Sequence, residues 1–248
     1  MEDSRVFEHA PPFRWGARDL IAFILFFSAT ALFLPLAAFL IIRVFQPSLR
    51  FEDLSGVQLI LIQALMDIAW VAFILFLIRG LHGRPSLRVL HFLPVGKPSV
   101  GRLIAGGAFL ALAVLGASIV LPRPAESPLE KLLATTPSLI LFVFFAIVVG
   151  PLLEEIVFRG FLFTALADVF GVRVAVPVTA LLFAGLHGRQ LGGNLPVLAL
   201  ILVVGYILTR VRERSNSIVP SIIMHTTYNA TLFVVPGLAS VLGFDPAP

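Results

Sequence analysis

Two glutamates and an arginine stand where charge is most costly. The stretch GPLLEEIVFRG (150–160) lies between the apolar runs SLILFVFFAIVV (138–149) and FLFTALA (161–167). On insertion scales a charge near the bilayer centre costs roughly 2.5–3.5 kcal/mol, so these three residues must be paired, put to use, or both. Glu155 and Arg159 stand at i and i+4, acid before base, and share one helical face. Glu154 is turned from Glu155 by about 100° and cannot share that orientation. One carboxylate can therefore be tied to the arginine while its neighbour stays free for acid–base chemistry. The plainer reading is an interhelical clamp, because buried ion pairs also occur without catalysis.

Further along, His225 and Asn229 repeat the i, i+4 spacing, and His187 follows Phe183 at the same interval, which sets an aromatic ring one turn below the imidazole. A lone histidine on an apolar face is more often a hydrogen-bonded core residue than a ligand. Two histidines, an asparagine and a carboxylate on successive apolar segments are harder to dismiss, since intramembrane ionisable residues are functional candidates by default. Counting from the inferred cytoplasmic helix ends, Glu155 lies roughly 18 Å deep, His187 about 21 Å and His225 about 12 Å, which permits one shared layer. Asp67, with Gln63 one turn earlier, is central in another apolar segment. No motif surrounds it, and a packing hydrogen bond is its expected role. His9, His82 and His91 fall in predicted loops and read as solvated.

The elements that must position these residues follow from composition. Of 248 residues 58% are hydrophobic and 13% charged, and the mean hydropathy is +1.01. Soluble domains are closer to half apolar and a quarter charged, so this is the composition of an integral membrane protein. Cysteine is absent, which excludes a disulfide framework, a thiolate nucleophile and thiolate metal sites. Lipid offers no partner to an open strand edge, so long apolar runs read as helices of about 20 residues. The expected fold is all-α, a polytopic transmembrane bundle with spans at 20–42, 57–78, 101–121, 138–167, 173–187, 195–210 and 217–235. An eighth would arise if the weakly apolar tail 237–244 re-enters the membrane. Gly150-Pro151 is the natural kink of the long fourth span, and GLHGRQLGGNLP after the short fifth span reads as irregular.

Basic residues orient this bundle. Arg5, Arg14, Arg18, Arg79, Arg84, Arg88, Lys97, Arg102, Arg173, Arg210, Arg212 and Arg214 fall on one predicted side, against Arg43, Arg50, Arg123, Lys131 and Arg189 on the other. The bias predicts a cytoplasmic N-terminus, an uncleaved first span and residence in the plasma membrane. The net charge of +4 reads as this orientation, with no nucleic-acid partner. The organisation expected is a cytoplasmic segment 1–19, a three-span region 20–137, a catalytic helix core 138–235 in the last four spans, and a tail 236–248.

Taken in order, EEIVFR (154–159), FAGLH (183–187) and HTTYN (225–229) resemble the EExxxR, FxxxH and HxxxN motifs of the CPBP intramembrane protease family. That family is also called CAAX-processing and bacteriocin-processing, or Abi, and includes the type II CAAX prenyl endopeptidases. The resemblance covers about residues 138–235 and has no departure at the motif positions. It implies a helical membrane endopeptidase whose pocket opens toward the cytosol, with site roles for Glu154, Glu155, Arg159, His187, His225 and Asn229. In a compatible mechanism Glu154, with His187, takes a proton from an attacking water, while His225 and Asn229 face the developing oxyanion.

A metal version stands beside it: Glu154, His187 and His225 could ligate Zn²⁺ or another divalent ion and leave a position for water. The resemblance implies a metalloprotease label, although HExxH is absent and asparagine is a poor zinc ligand. Expected partners are the bilayer and a peptide or protein substrate, CAAX-like or a small membrane-associated peptide. The reading from another class is a non-catalytic membrane protein, an immunity or scaffold factor or a small transporter, that uses the charged cluster as a clamp or proton relay.

Overall fold

The structure is a computed structural model that describes residues 13–95, 99–121, 132–188 and 193–242. Among these residues every long regular element is a helix: α1 (Ala17–Phe45), α2 (Gly56–Leu81), a short α3 (Ser86–Val89), α4 (Val100–Ser118), α5 (Thr136–Phe170), α6 (Val172–Leu186), α7 (Leu195–Ser215) and α8 (Ile218–Val241). Six of them are long and apolar enough to cross a membrane. The seventh apolar helix, α6, has 15 residues. It therefore rises only about 22 Å, and it carries His187 just past its end. The chain is an integral membrane protein with a polytopic helical bundle.

Large apolar side chains face outward along the bundle, Leu25, Leu32, Phe33 and Phe109 among them. In water that surface would be a liability, but in hydrocarbon it costs nothing. The exclusion of charge matters more there, because association between helices rests on close packing and polar contacts. Close packing is most evident where α4 meets α8. A Cβ added at Gly107 would stand 2.5 Å from the Met224 carbonyl oxygen and 2.9 Å from Thr227 Cβ, on either side of His225. Gly107→Ala is therefore expected to push α4 from α8, lowering stability by about 1–3 kcal/mol. Gly116→Ala, which meets open space, should leave thermal unfolding in detergent unchanged.

Helix α5 does not break at Gly150-Pro151. The proline lacks an N–H, and the helix absorbs this with a wide π-type turn over Phe145–Val149 just before it. A second wide turn spans Ile156–Leu162. The EE pair therefore sits on one short α-helical segment, Gly150–Glu155, between two wide turns.

One end of the bundle is knit by polar contacts. The Trp15 backbone N–H donates to Asp168 Oδ2 at 2.9 Å, and His82 pairs with Asp19 at 2.8 Å. His82 is thus half-buried against the Asp19 carboxylate instead of solvated, because α1 brings Asp19 to the end of α2. Arg14, Arg18, Arg79, Arg84, Arg88 and Arg173 belong to this end. His9, Arg5, Lys97, Arg123, Lys131, Arg189 and the end of the tail fall outside the described residues.

The loop after α3 docks on the α7–α8 turn. The Ile218 N–H donates to the His91 carbonyl at 3.1 Å, and the Ser217 hydroxyl donates to the Leu93 carbonyl at 2.8 Å. His91 and Asn216 both take left-handed backbone, with φ of 53° and 51°. His91 is half-buried as well, contrary to its reading as a solvated loop residue. Burial, and then the charge of Arg212, push its pKa below the ordinary 6.5, with Asp168 and Asn216 pulling the other way. A histidine held neutral in the fold stabilises it fully above the unfolded pKa, and this stability is lost as pH falls from about 6.5 through the lower folded value. Amide protection factors in residues 85–95, corrected for the intrinsic pH dependence of exchange, should therefore fall as pH drops below about 6.5, and His91→Gln should flatten that dependence.

Candidate active site

The site is assembled by α5, α6, α7 and α8. Glu155 and Arg159 are fully buried, and Arg159 Nη1 donates to Glu155 Oε1 at 2.9 Å. The i, i+4 spacing made this pair legible, although a wide turn now lies within it. Arg159 Nη2 donates to the Gly205 carbonyl of α7 at 3.0 Å. The guanidinium also lies 4.5 Å from the Phe183 ring centroid, a cation–π contact. Gly205 permits this approach: a Cβ there would meet Phe183 at 3.0 Å and the Ala180 carbonyl at 3.3 Å.

His225 of α8 closes the cluster. Its Nδ1 lies 2.9 Å from Glu155 Oε1, and its Nε2 lies 3.8 Å from Glu154 Oε2. A carboxylate can only accept, so Nδ1–H donates and Nε2 is the nitrogen presented to Glu154. Glu155 therefore has its expected partner Arg159 and a second, His225, that was expected at the oxyanion instead, while Glu154 keeps 28% of its side chain exposed. The ordering of the two carboxylates, one locked and one open, matches the expectation from their 100° separation.

Phe183 links the remaining histidine. Its ring stands 4.7 Å from that of His187 and 5.8 Å from that of His225. His187 Nδ1 donates to the Phe183 carbonyl at 2.8 Å, so its Nε2 carries the ring lone pair and has no hydrogen-bond partner among the described residues. His187 forms no ion pair with a described carboxylate, and the 189–192 stretch that follows it lies outside the described residues. Asn229 Nδ2 donates to the Ala146 carbonyl at 2.7 Å, tying α8 to the first wide turn of α5. Its second N–H and its Oδ1 remain.

Two positions outside the motifs bear on the site. Gln63 Nε2 donates to Asp67 Oδ1 at 2.8 Å, the packing bond expected of that pair. Asp67 is buried on α2 within electrostatic reach of Glu154. Arg212, expected in a loop, is instead the buried last turn of α7, because that helix runs to Ser215. Its Nε donates to the Arg159 carbonyl at 3.1 Å. The signal for Arg212 was present: Gly205, Leu208, Thr209 and Arg212 fall at i, i+3, i+4 and i+7, and all four are buried. With the span expected to end at 210, Arg212 was counted instead among the basic residues that orient the bundle.

Among the described residues no three His, Cys, Asp or Glu side chains come together to hold a metal ion. The Nδ1 bonds leave the Nε2 of His225 and of His187 each with its lone pair, but these do not converge with Glu154 as such a group. As placed, Glu154, His187 and His225 do not fit a metal site, and no step below runs through one.

Fold and site together define a polytopic helical membrane protein with a buried Glu/Arg/His centre. Residues 136–231 match the family model of the type II CAAX prenyl endopeptidases, Rce1-like, in agreement with the CPBP resemblance of the three motifs. This segment runs from the start of α5 into α8 and contains every motif residue. Searches of curated proteins and of solved structures give no match.

Proposed function

We propose that the protein is an intramembrane endopeptidase that hydrolyses a peptide bond with water activated by Glu154 and the histidines. The observation that carries the reading is the 3.8 Å gap between Glu154 Oε2 and His225 Nε2. It is too long for a direct hydrogen bond and suits a water held by both. Glu154 takes a proton from this water, and the oxygen attacks the scissile carbonyl carbon. The same proton then passes to the leaving amine as the C–N bond breaks. Glu155, neutralised by Arg159, fixes the ring of His225. His187 Nε2 and the second N–H of Asn229 are left for the substrate, the latter for the developing oxyanion.

The Rce1-like domain favours a substrate with a prenylated CAAX end, whose chain reaches the site from the bilayer while its peptide comes from the aqueous side. The positive-inside rule supports reading the arginine-rich end of the bundle, and with it the N-terminus of α1, as cytoplasmic. The test is purified protein in lipid nanodiscs with an internally quenched peptide that ends in a prenylated CAAX sequence. Cleavage by the wild type and none by Glu154→Gln supports the reading. Equal cleavage by both sinks the assignment of the base, and no turnover of prenylated or unprenylated peptides sinks the hydrolase.

A further inference from the structure

Arg212 is an unusual residue to bury. It is 2% exposed, and among the described residues no carboxylate lies within 4.0 Å of it. Its donors go elsewhere: Nε to the Arg159 carbonyl at 3.1 Å and Nη2 to Thr164 Oγ1 at 3.3 Å. The Thr164 hydroxyl donates to the same Arg159 carbonyl at 3.4 Å, which closes a triangle. The guanidinium also rests 5.5 Å from the Phe163 ring centroid.

Helix α7 therefore grips Arg159 twice, by its guanidinium at Gly205 and by its carbonyl at Arg212. The gripped residue lies in the wide turn Ile156–Leu162, immediately after the EE pair. A wide turn holds one residue more than the helical ladder requires, and it can relax toward ordinary helix. A one-residue change of register would rotate the residues upstream by about 100°, which is the angle that separates Glu154 from Glu155. Such a rotation would exchange the locked and open carboxylates. An apolar side chain at 212 would remove the desolvation cost of the buried charge and, with it, the donors that hold Arg159 and Thr164.

We propose that Arg212 is a positioning residue of the hydrolytic centre, holding through the Arg159 carbonyl the wide turn from which Glu154 and Glu155 are aimed. The inference rests on the hydrolase reading for its catalytic consequence but not for the clamp itself. The experiment uses the full chain in nanodiscs with Arg212→Met, Arg212→Gln and, as control, the exposed Arg214→Met. It reads hydrogen exchange of residues 156–164 alongside kcat and KM on the quenched prenylated peptide.

Arg212→Met should speed exchange in 156–164 and lower kcat by about 10–100-fold, with KM within about 3-fold. Arg212→Gln, which keeps one donor for the carbonyl, should recover part of kcat, and Arg214→Met should match the wild type. A Met variant with kcat within about 2-fold of wild type overturns the proposal, as does a loss that follows the folded fraction and is not relieved by Gln. If the wild type turns over no peptide, the hydrolase reading falls while exchange still decides the clamp. Unchanged exchange then overturns it.

Discussion

Glu154→Gln protein is expected to insert and fold as the wild type does and to lose cleavage by about 10²–10⁴-fold, the range over which a positioned general base acts. The amide preserves the shape of the side chain and removes only its basicity. Among the described residues Glu154 makes no direct hydrogen bond, and it is partly exposed, so little of the fold depends on its charge. Unfolding temperature should therefore stay near the wild-type value while kcat collapses. Equal cleavage by wild type and variant, measured on the same peptide in nanodiscs, would show that the open carboxylate is not the base.

Arg159→Met has the opposite signature. It strands Glu155 in a fully buried position with His225 as its remaining side-chain partner. Breaking a buried pair by removing one member typically costs about 3–5 kcal/mol, because the surviving charge is left uncompensated. The variant should unfold at much lower denaturant and should also lose activity, since His225 is oriented by the carboxylate that Arg159 neutralises. The double variant Glu155→Leu with Arg159→Met removes both charges and should regain much of the stability with none of the cleavage. If stability and cleavage returned together in the double variant, the pair would be a structural clamp alone and His225 would need no orienting carboxylate.

The contrast between these two glutamates was readable before any coordinates. Acid and base at i, i+4 pair locally, and a neighbour turned by about 100° does not, so the split between a locked Glu155 and an open Glu154 needs only helical geometry. The helical class and six of the seven expected spans were equally legible, since lipid leaves long apolar runs no alternative, while the fifth is a helix of only 15 residues. Span ends were less so. Helix α7 continues through Arg210, Arg212 and Arg214 to Ser215 because long basic side chains extend a helix past the apolar run, and one of the three turns inward.

What the sequence by itself determined is therefore local and periodic: an all-helical membrane bundle, the identity of the polar residues inside it, and the face that each occupies on its own helix. Tertiary structure alone decided which faces meet. It set His225 against Glu155, Asn229 on the Ala146 carbonyl and Arg212 on the Arg159 carbonyl. Those contacts join residues dozens of positions apart, and no spacing rule reaches across separate helices. They depend on how closely backbones approach at Gly107 and Gly205 and on how two wide turns rotate a single six-residue segment. Packing is a property of the whole bundle, so the partners of a buried charge emerge only when every helix around it is in place.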